Sequence, residues 1–396
     1  MSKQEFPEPD VDVDSIEPGE LKDRIDDGED VFLLDTRATE EFEQWQIRGE
    51  TVTTVNIPYF EFLLDDFDEE LIEAIPSDRP VTVLCAKGGS SEYVAGLLEE
   101  RGYDVDHLAR GMNGWARIYE YHELDADTDA TIAQYQRPSS GCLSYLVVDG
   151  DEAVVIDPLR AFTDEYVQDA RALGADISAA LDTHIHADHV SGLRQLGEKS
   201  EAEVYLPKPA AERGVDYDTA YRTVEDEDEL LVDDTEIEVI HTPGHTTGMT
   251  SYRVGNVLFA GDGLFTESIA RPDLEEGAEG AADAANQLYE TLHETVLSLP
   301  DETVIAPAHF SENADPDENG TYTVRLGELI DEMDVLRMDR EDFVEFIQSD
   351  MPPQPTNFEE IIATNLGTQE TSDEQVFELE QGPNNCAASQ DALTSD

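Results

Sequence analysis

The 396-residue chain is poor in positive charge: 23 Lys+Arg face 93 Asp+Glu, a formal net charge of −70 at pH 7. Its lysines are only Lys3, Lys22, Lys87, Lys199 and Lys208. Such a surplus repels polyanions, so no nucleic acid and no anionic membrane is expected as an unaided partner. Cysteine is scarce and odd in number. Cys85, Cys142 and Cys386 lie far apart, which argues against a disulfide framework and fits a reducing interior. Long apolar runs are missing as well. The opening MSKQEFPEPDVDVD has no apolar signal core, and runs such as 145–148 and 153–156 are too short to cross a bilayer, so a soluble, cytoplasmic protein is expected. Internal repeats and low-complexity tracts are absent too.

What remains is an ordinary globular composition, 39% hydrophobic, with length enough for two or three cored domains. The acids are spread along the whole chain rather than gathered in one tail, which reads as a solvated acidic surface suited to a high-salt cytoplasm, a halophilic pattern. A folded chain of this mass exposes roughly 15,000 Å², which leaves the net charges on the order of 15 Å apart. The Debye length is about 10 Å at 0.1 M salt and about 3 Å at 1 M. Self-repulsion is therefore felt in dilute buffer and nearly removed in molar salt. The melting temperature is expected to rise between dilute buffer and molar KCl; a melt indifferent to salt would contradict this reading.

From Val31 onward strand-like runs (VFLLD, VTVLC, VDHLA) alternate with helical patterns such as EYVAGLLEERG, in which Val94, Leu97 and Leu98 share a face and Gly102 ends the helix. That alternation predicts a parallel α/β domain over residues 10–122. The acidic stretch HELDADTDATIAQ reads as a short junction. A second block over 126–367 opens with CLSYLVVDGDEAVVIDP, two strands joined at Asp149-Gly150-Asp151, and continues with strands LLVDDTEIEVIHT and SYRVGNVLFAGD. In QLYETLHETVLSL, Leu288, Leu292, Val296 and Leu299 predict one helical stripe. Residues 368–396 read as an acidic, partly disordered tail.

Strand VTVLC ends at Cys85 and runs into Ala86-Lys87-Gly88-Gly89-Ser90-Ser91 before a helix. Two glycines let such a loop fold into a bowl with inward N–H groups, and a helix N-terminus adds partial positive charge. A thiol placed there is biased toward thiolate and toward holding an anionic sulfur adduct. With Asp35-Thr36-Arg37, Glu41-Phe42, Val55-Asn56-Ile57-Pro58, the loop from Cys85 to Ser90 and Gly111-Met112-Asn113-Gly114-Trp115, this block resembles a rhodanese-like sulfurtransferase domain. The resemblance implies that Cys85 is catalytic and carries sulfane sulfur as a persulfide, with Ala86, Lys87, Gly88, Gly89 and Ser90 as the anion cradle. Many such loops offer an arginine to an anionic donor, where this one offers only Lys87, a point charge in place of a bidentate fork.

In the second block, Thr183-His184-Ile185-His186-Ala187-Asp188-His189 follows a strand, and His241-Thr242-Pro243-Gly244-His245-Thr246, Gly261-Asp262 and Pro307-Ala308-His309 each follow another. Three imidazoles and a carboxylate within six residues are costly to leave unpaired, and this is metal-ligand spacing. The block resembles the metallo-β-lactamase fold, an αββα sandwich with metals at one edge. For hydrolytic members the resemblance implies His184, His186 and His245 on one metal, Asp188, His189 and His309 on a second, and Asp262 bridging. Ser144-Tyr145-Leu146, THIHADH, HTPGHT, GDGLF, Arg271-Pro272-Asp273-Leu274 and the stretch PPQPTNFEEIIATNLG over 352–367 are similar to the persulfide dioxygenase branch of that superfamily. That branch implies one Fe(II) per chain on His184, His245 and Asp262, a facial triad that leaves room for substrate sulfur and O2. His186, Asp188, His189 and His309 then orient ligands and reactants, and Arg271, preceded by Ala270 instead of the branch's usual glycine, is a candidate substrate contact.

Together the resemblances imply oxidation of a low-molecular-weight thiol persulfide by O2 to sulfite, coupled to sulfur transfer that delivers sulfane sulfur or makes thiosulfate from sulfite. A short tether holds the second site at roughly millimolar effective concentration. A Zn(II) hydrolase of the glyoxalase II type, with one or two zinc ions and an accessory cysteine domain, uses the same ligand set, and zinc outcompetes ferrous iron for such sites. A non-enzymatic persulfide relay is a third class, disfavoured by the intact ligand set. Cys142 reads as a small core residue or a substrate-lining thiol, and Cys386 as an exposed thiol, a lid or an oligomer contact; homo-oligomerisation stays open.

Overall fold

The computed structural model describes residues 13–63, 69–275, 277–311, 314–349, 351–382 and 384–388; residues 10–12 of the first expected domain and 389–396 of the expected tail lie outside them. The chain divides into two compact units, the change falling between Ile118 and Tyr119. No helix among the described residues is long and apolar enough to cross a membrane.

In the first unit VFLLD, VTVL and VDHL form strands Val31–Asp35, Val81–Leu84 and Val105–Leu108. With Ser15–Ile16 and Val52–Asn56 they make a five-stranded sheet in the order Ser15–Ile16, Val105–Leu108, Val81–Leu84, Val31–Asp35, Val52–Asn56, every pair parallel. Side chains alternate across a strand. Phe32, Leu34, Val81 and Val83 therefore share one face, where they cluster with Val94, Ala95 and Leu98 of helix Gly89–Glu99. Full burial of each large side chain contributes about 1.5–3 kcal/mol. The sheet delivers Cys85 at the C-terminal end of a central strand, where open parallel sheets place their ligands.

The second unit is a sandwich of two sheets between helices. One sheet runs Arg222–Val224, Glu203–Pro207, Asp176–Leu181, Glu152–Ile156, Cys142–Asp149, Thr131–Arg137, Glu120–Leu124; the other runs Glu229–Val232, Thr235–His241, Thr250–Val254, Val257–Gly261, Val304–Pro307, Val324–Arg325. Strand Cys142–Asp149 is apolar on both faces for a visible reason. Leu143, Tyr145 and Val147 meet Ile237, Tyr252 and Phe259 of the other sheet, while Leu146 and Val148 meet Tyr166, Ala170 and Leu196 of the outer helices. On the far side Leu258 and Ala260 pack under Leu288, Leu329, Phe343 and Ile347. This αββα layering matches the expected fold class; the expected hairpin forms with Asp149 paired to Glu152, and a second hairpin pairs Val254 with Val257.

Three expectations need correction. The stretch taken as a junction is sheet: Glu120–Leu124 and Thr131–Arg137 pair with Leu124 opposite Ile132, because Leu124 and Ile132 are buried between the sheets and outweigh the acids around them. The stripe Leu288, Leu292, Val296 is buried, but helix Gly277–Glu290 passes into a π turn at Thr291–Thr295, where the Thr291 hydroxyl donates to the Pro243 carbonyl (2.6 Å). The described part of the expected tail is folded: Asp373–Leu379 is a helix with a Ser372 cap, Val376 and Phe377 are buried, and Arg137 meets Glu380 at 2.6 Å with both side chains fully buried.

Candidate metal centre and cysteine loop

Each donor in the second unit sits just past a strand end. Strands Val257–Gly261 and Val304–Pro307 are parallel neighbours, so their following loops carry Asp262 and His309 out side by side. Gly261 takes φ +54°, and a Cβ there would lie 2.2 Å from Met249 Cε and 2.7 Å from Thr183 Oγ1. Only glycine lets this strand end close on Thr183 and bring Asp262 against His184.

His184 Nε2 and His245 Nε2 each lie 3.5 Å from Asp262 Oδ2. All three atoms are buried with no hydrogen-bond partner, and the three residues can offer ligand atoms within 4.8 Å of one another. Leaving one such group unsatisfied costs about 1–3 kcal/mol, so three aimed at one point form a site built for a cation. Two imidazoles and one carboxylate suit a divalent metal.

The remaining ring atoms fix the orientation. Thr183 Oγ1 lies 3.0 Å from His184 Nδ1 and its hydroxyl donates to Asp157 (2.9 Å), so Nδ1–H donates to Thr183 and Nε2 is bare. His245 Nδ1–H donates to the Arg271 carbonyl at 2.9 Å, with the same result. Burial pushes His184 down to about 3, helped by His186, and burial lowers His245 as well, so both rings are neutral and free to offer Nε2 to a cation. Burial alone would raise the Asp262 carboxyl, yet the facing His309 and His184 hold it well below the usual range.

His309 is bonded on both sides, Nδ1 to Asp262 Oδ1 (2.5 Å) and Nε2 to Asp188 Oδ2 (2.6 Å). Burial opposes its charge, but Asp188 and Asp262 outweigh that and raise it well above the ordinary imidazole value. His186 does not join the triad; its Nε2 lies 3.0 Å from Asp157, in a group with Asp182. His189 Nδ1 lies 3.3 Å from Asp188, which also accepts from Cys142 Sγ at 3.2 Å. Cys142, Asp188, His189 and His309 form a further close group, in which His189 Nε2 and Asp188 Oδ1 have no partner; His186 Nδ1 has none either.

Arg271 differs from its expected role. Its guanidinium is 1% exposed, and all five N–H groups are engaged: by both Asp273 oxygens (2.7 and 2.9 Å), Pro352 O (2.9 Å), Pro353 O (2.8 Å) and Asn385 O (2.9 Å). It ties two C-terminal stretches to the turn whose carbonyl orients His245. Arg271→Lys, which keeps the charge and loses the fork, is expected to cost about 3 kcal/mol, read as a lowered melting temperature. A melt within about 1 °C of wild type would contradict that clamp.

Sequence reasoning missed Asp157, whose signal was an acid ending the buried strand Glu152–Ile156 and which adopts φ +51°. It also missed how close Cys386 lies: fully buried rather than exposed, in one group with Asp188, Asp262 and His309. Burial, Asp188 and Asp262 push its thiol well above the usual value.

In the first unit the Gly88 amide donates to Cys85 Sγ (3.0 Å), and the Ser91 hydroxyl, outside the expected cradle, lies 3.3 Å from the sulfur. Gly88 takes φ +99° just before helix Gly89–Glu99. Ser90 is buried, Ala86 half-buried, and Lys87 and Gly89 are exposed. The stretch Gly111–Trp115 seats this loop: Met112 N–H donates to Cys85 O (2.8 Å) and Asn113 N–H to Ala86 O (3.0 Å). A Cβ at Gly111 would lie 2.0 Å from Cys85 O, so glycine is required there.

Family models agree with this division: the metallo-beta-lactamase superfamily over residues 138–309 and the rhodanese-like domain over 17–118. The chain is 30% identical over 185 residues to "Persulfide dioxygenase ETHE1, mitochondrial" of Homo sapiens, covering 45% of this chain and 67% of that protein. It is 33% identical over 167 residues to "Hydroxyacylglutathione hydrolase" of Hamiltonella defensa, covering 42% of this chain and 61% of that protein. The crystal structure of ETHE1 from Myxococcus xanthus superposes with a TM-score of 0.52 at 28% identity, covering 60% of this chain and 99% of that one. The chain belongs to the metallo-β-lactamase superfamily of metal-binding enzymes and carries a rhodanese-like domain ahead of that fold.

Proposed function

We propose that this chain is a non-haem iron persulfide dioxygenase coupled to a sulfurtransferase, working in the cytoplasm. The observation that carries the reading is the convergence of the bare His184 Nε2, His245 Nε2 and Asp262 Oδ2, with His186 turned away to Asp157. The human relative named persulfide dioxygenase and the fused cysteine loop support it. Fe(II) held by these three residues would supply coordination positions for a persulfide sulfur and for O2. The net reaction is RSSH + O2 + H2O → RSH + SO3²⁻ + 2H⁺.

The chain's own groups prepare that site. Thr183 and the Arg271 carbonyl hold the protons of the ligand rings on Nδ1, away from the metal side. His309 keeps protons on both nitrogens between Asp188 and Asp262, offsetting two buried carboxylates without competing for the ion. At the other centre the Cys85 thiolate attacks the outer sulfur of RSSH, the S–S bond breaks, and RS⁻ leaves. Attack by sulfite on the outer sulfur of the Cys85 persulfide then gives thiosulfate and restores the thiolate. The Gly88 amide is placed to stabilise the sulfur anion at both steps.

A second reading, zinc-dependent thioester hydrolysis, is favoured by the hydroxyacylglutathione hydrolase match and by the unpartnered His186 Nδ1, His189 Nε2 and Asp188 Oδ1. Anaerobic purification with metal analysis, followed by oxygen uptake with a persulfide and hydrolysis of a thioester, separates the two. One iron per chain with persulfide-dependent uptake is expected; zinc with thioester turnover would replace the first reading by the second.

A further inference from the structure

The loop that carries the metal-binding histidines is held from the far end of the chain. Past Leu181 it leaves the sheet, and its backbone groups need partners. Asn365, 3% exposed at the end of helix Phe358–Asn365, donates through Nδ2 to the carbonyls of His186 (2.9 Å) and His189 (2.8 Å) and accepts the Ser191 N–H at Oδ1 (2.9 Å). Glu380 accepts the Val190 N–H at Oε1 (2.7 Å), while its Oε2 takes Arg137 (2.6 Å). Four backbone groups of residues 186–191 are thus satisfied by two side chains lying 174 to 190 residues away.

The path onward to a ligand is short. His186 is bonded through its ring to Asp157, Asp157 accepts from the Thr183 amide and hydroxyl, and Thr183 sets the tautomer of His184. An amide side chain alone supplies two donors and an acceptor in this arrangement; a carboxylate would face two carbonyl oxygens. We infer that Asn365 is a positioning residue for the metal centre, fixing the His186–Ser191 backbone and, through His186, Asp157 and Thr183, the direction of His184 Nε2. This rests on the metal-centre assignment and on neither the identity of the metal nor the reaction.

The test uses the full chain loaded with Co(II), with affinity read by chelator competition and ligand geometry by the visible cobalt spectrum. Asn365→Asp keeps size and acceptor but loses both donors; it is expected to weaken cobalt about 10- to 100-fold and to alter the spectrum. Asn365→Ala, which removes all three bonds without adding charge, is expected to do the same. Thr364→Val probes the same helix without touching the loop, since its hydroxyl bonds Glu360 O and Thr371 (both 2.8 Å). It is expected to lower the melting temperature and leave cobalt binding unchanged. Wild-type affinity in both Asn365 variants, equal weakening in Thr364→Val, or failure of both Asn365 variants to fold while Thr364→Val folds would overturn the proposal. Cobalt binding insensitive to Asp262→Asn would overturn the metal-centre assignment as well.

Discussion

Asp262→Asn is expected to strip the metal from the second unit and lower persulfide-dependent oxygen uptake by at least about 10³-fold, roughly 4 kcal/mol of lost stabilisation. Asp262 is the one anion of the triad; His184 and His245 are neutral. The amide keeps the shape and removes the charge that balances a divalent ion. It also takes from His309 one of the two carboxylates that keep it protonated, so the variant loses a ligand and a buried charge partner together. Metal content by elemental analysis and uptake at an oxygen electrode check both consequences. A variant that retains a full metal ion and turns over within about tenfold of wild type would contradict the role assigned to Asp262.

Cys85→Ser is expected to abolish sulfur transfer to sulfite while leaving oxygen uptake with a supplied persulfide within about twofold of wild type. The reason is chemical: a serine hydroxyl at the same place has neither the acidity nor the nucleophilicity of a thiol. The Gly88 amide and Ser91 hydroxyl around the sulfur belong to the first unit, whereas His184, His245 and Asp262 belong to the second. Thiosulfate formation and oxygen uptake measured on one preparation separate the two activities. Loss of both in a folded, iron-loaded variant would contradict this division of labour.

Strands with dense apolar runs could be read from the sequence because both faces of their sheets are covered: VFLLD, VTVL, CLSYLVVD and EAVVI all form where expected. The strands Glu120–Leu124 and Thr131–Arg137 were hidden. Glu120–Leu124 is a solvated edge strand that needs only one apolar face, and its acids read as linker, while Thr131–Arg137 lies inside the sheet but its buried Gln134, Gln136 and Arg137 break the apolar run. The C-terminal stretch failed for a related reason. Its folding rests on sparse contacts, namely Val376, Phe377, the Arg137–Glu380 pair and Cys386, and these have no local period. That His184, His245 and Asp262 could converge was legible because each follows an apolar strand at a sheet end. Which nitrogen is bare, and that His309 lies between two carboxylates, are tertiary facts. Arg271 misled for the opposite reason: an arginine in a motif reads as a ligand for an anion, yet its fork is saturated by carbonyls and Asp273.

Crystals of anaerobically iron-loaded protein, with anomalous diffraction collected on both sides of the iron edge, test the central claim most directly. The account expects one iron per chain bounded by His184 Nε2, His245 Nε2 and Asp262 Oδ2, with His186 on Asp157 and coordination positions left open. Two metal peaks shared among His186, Asp188, His189 and His309, or an iron bound elsewhere, would contradict it.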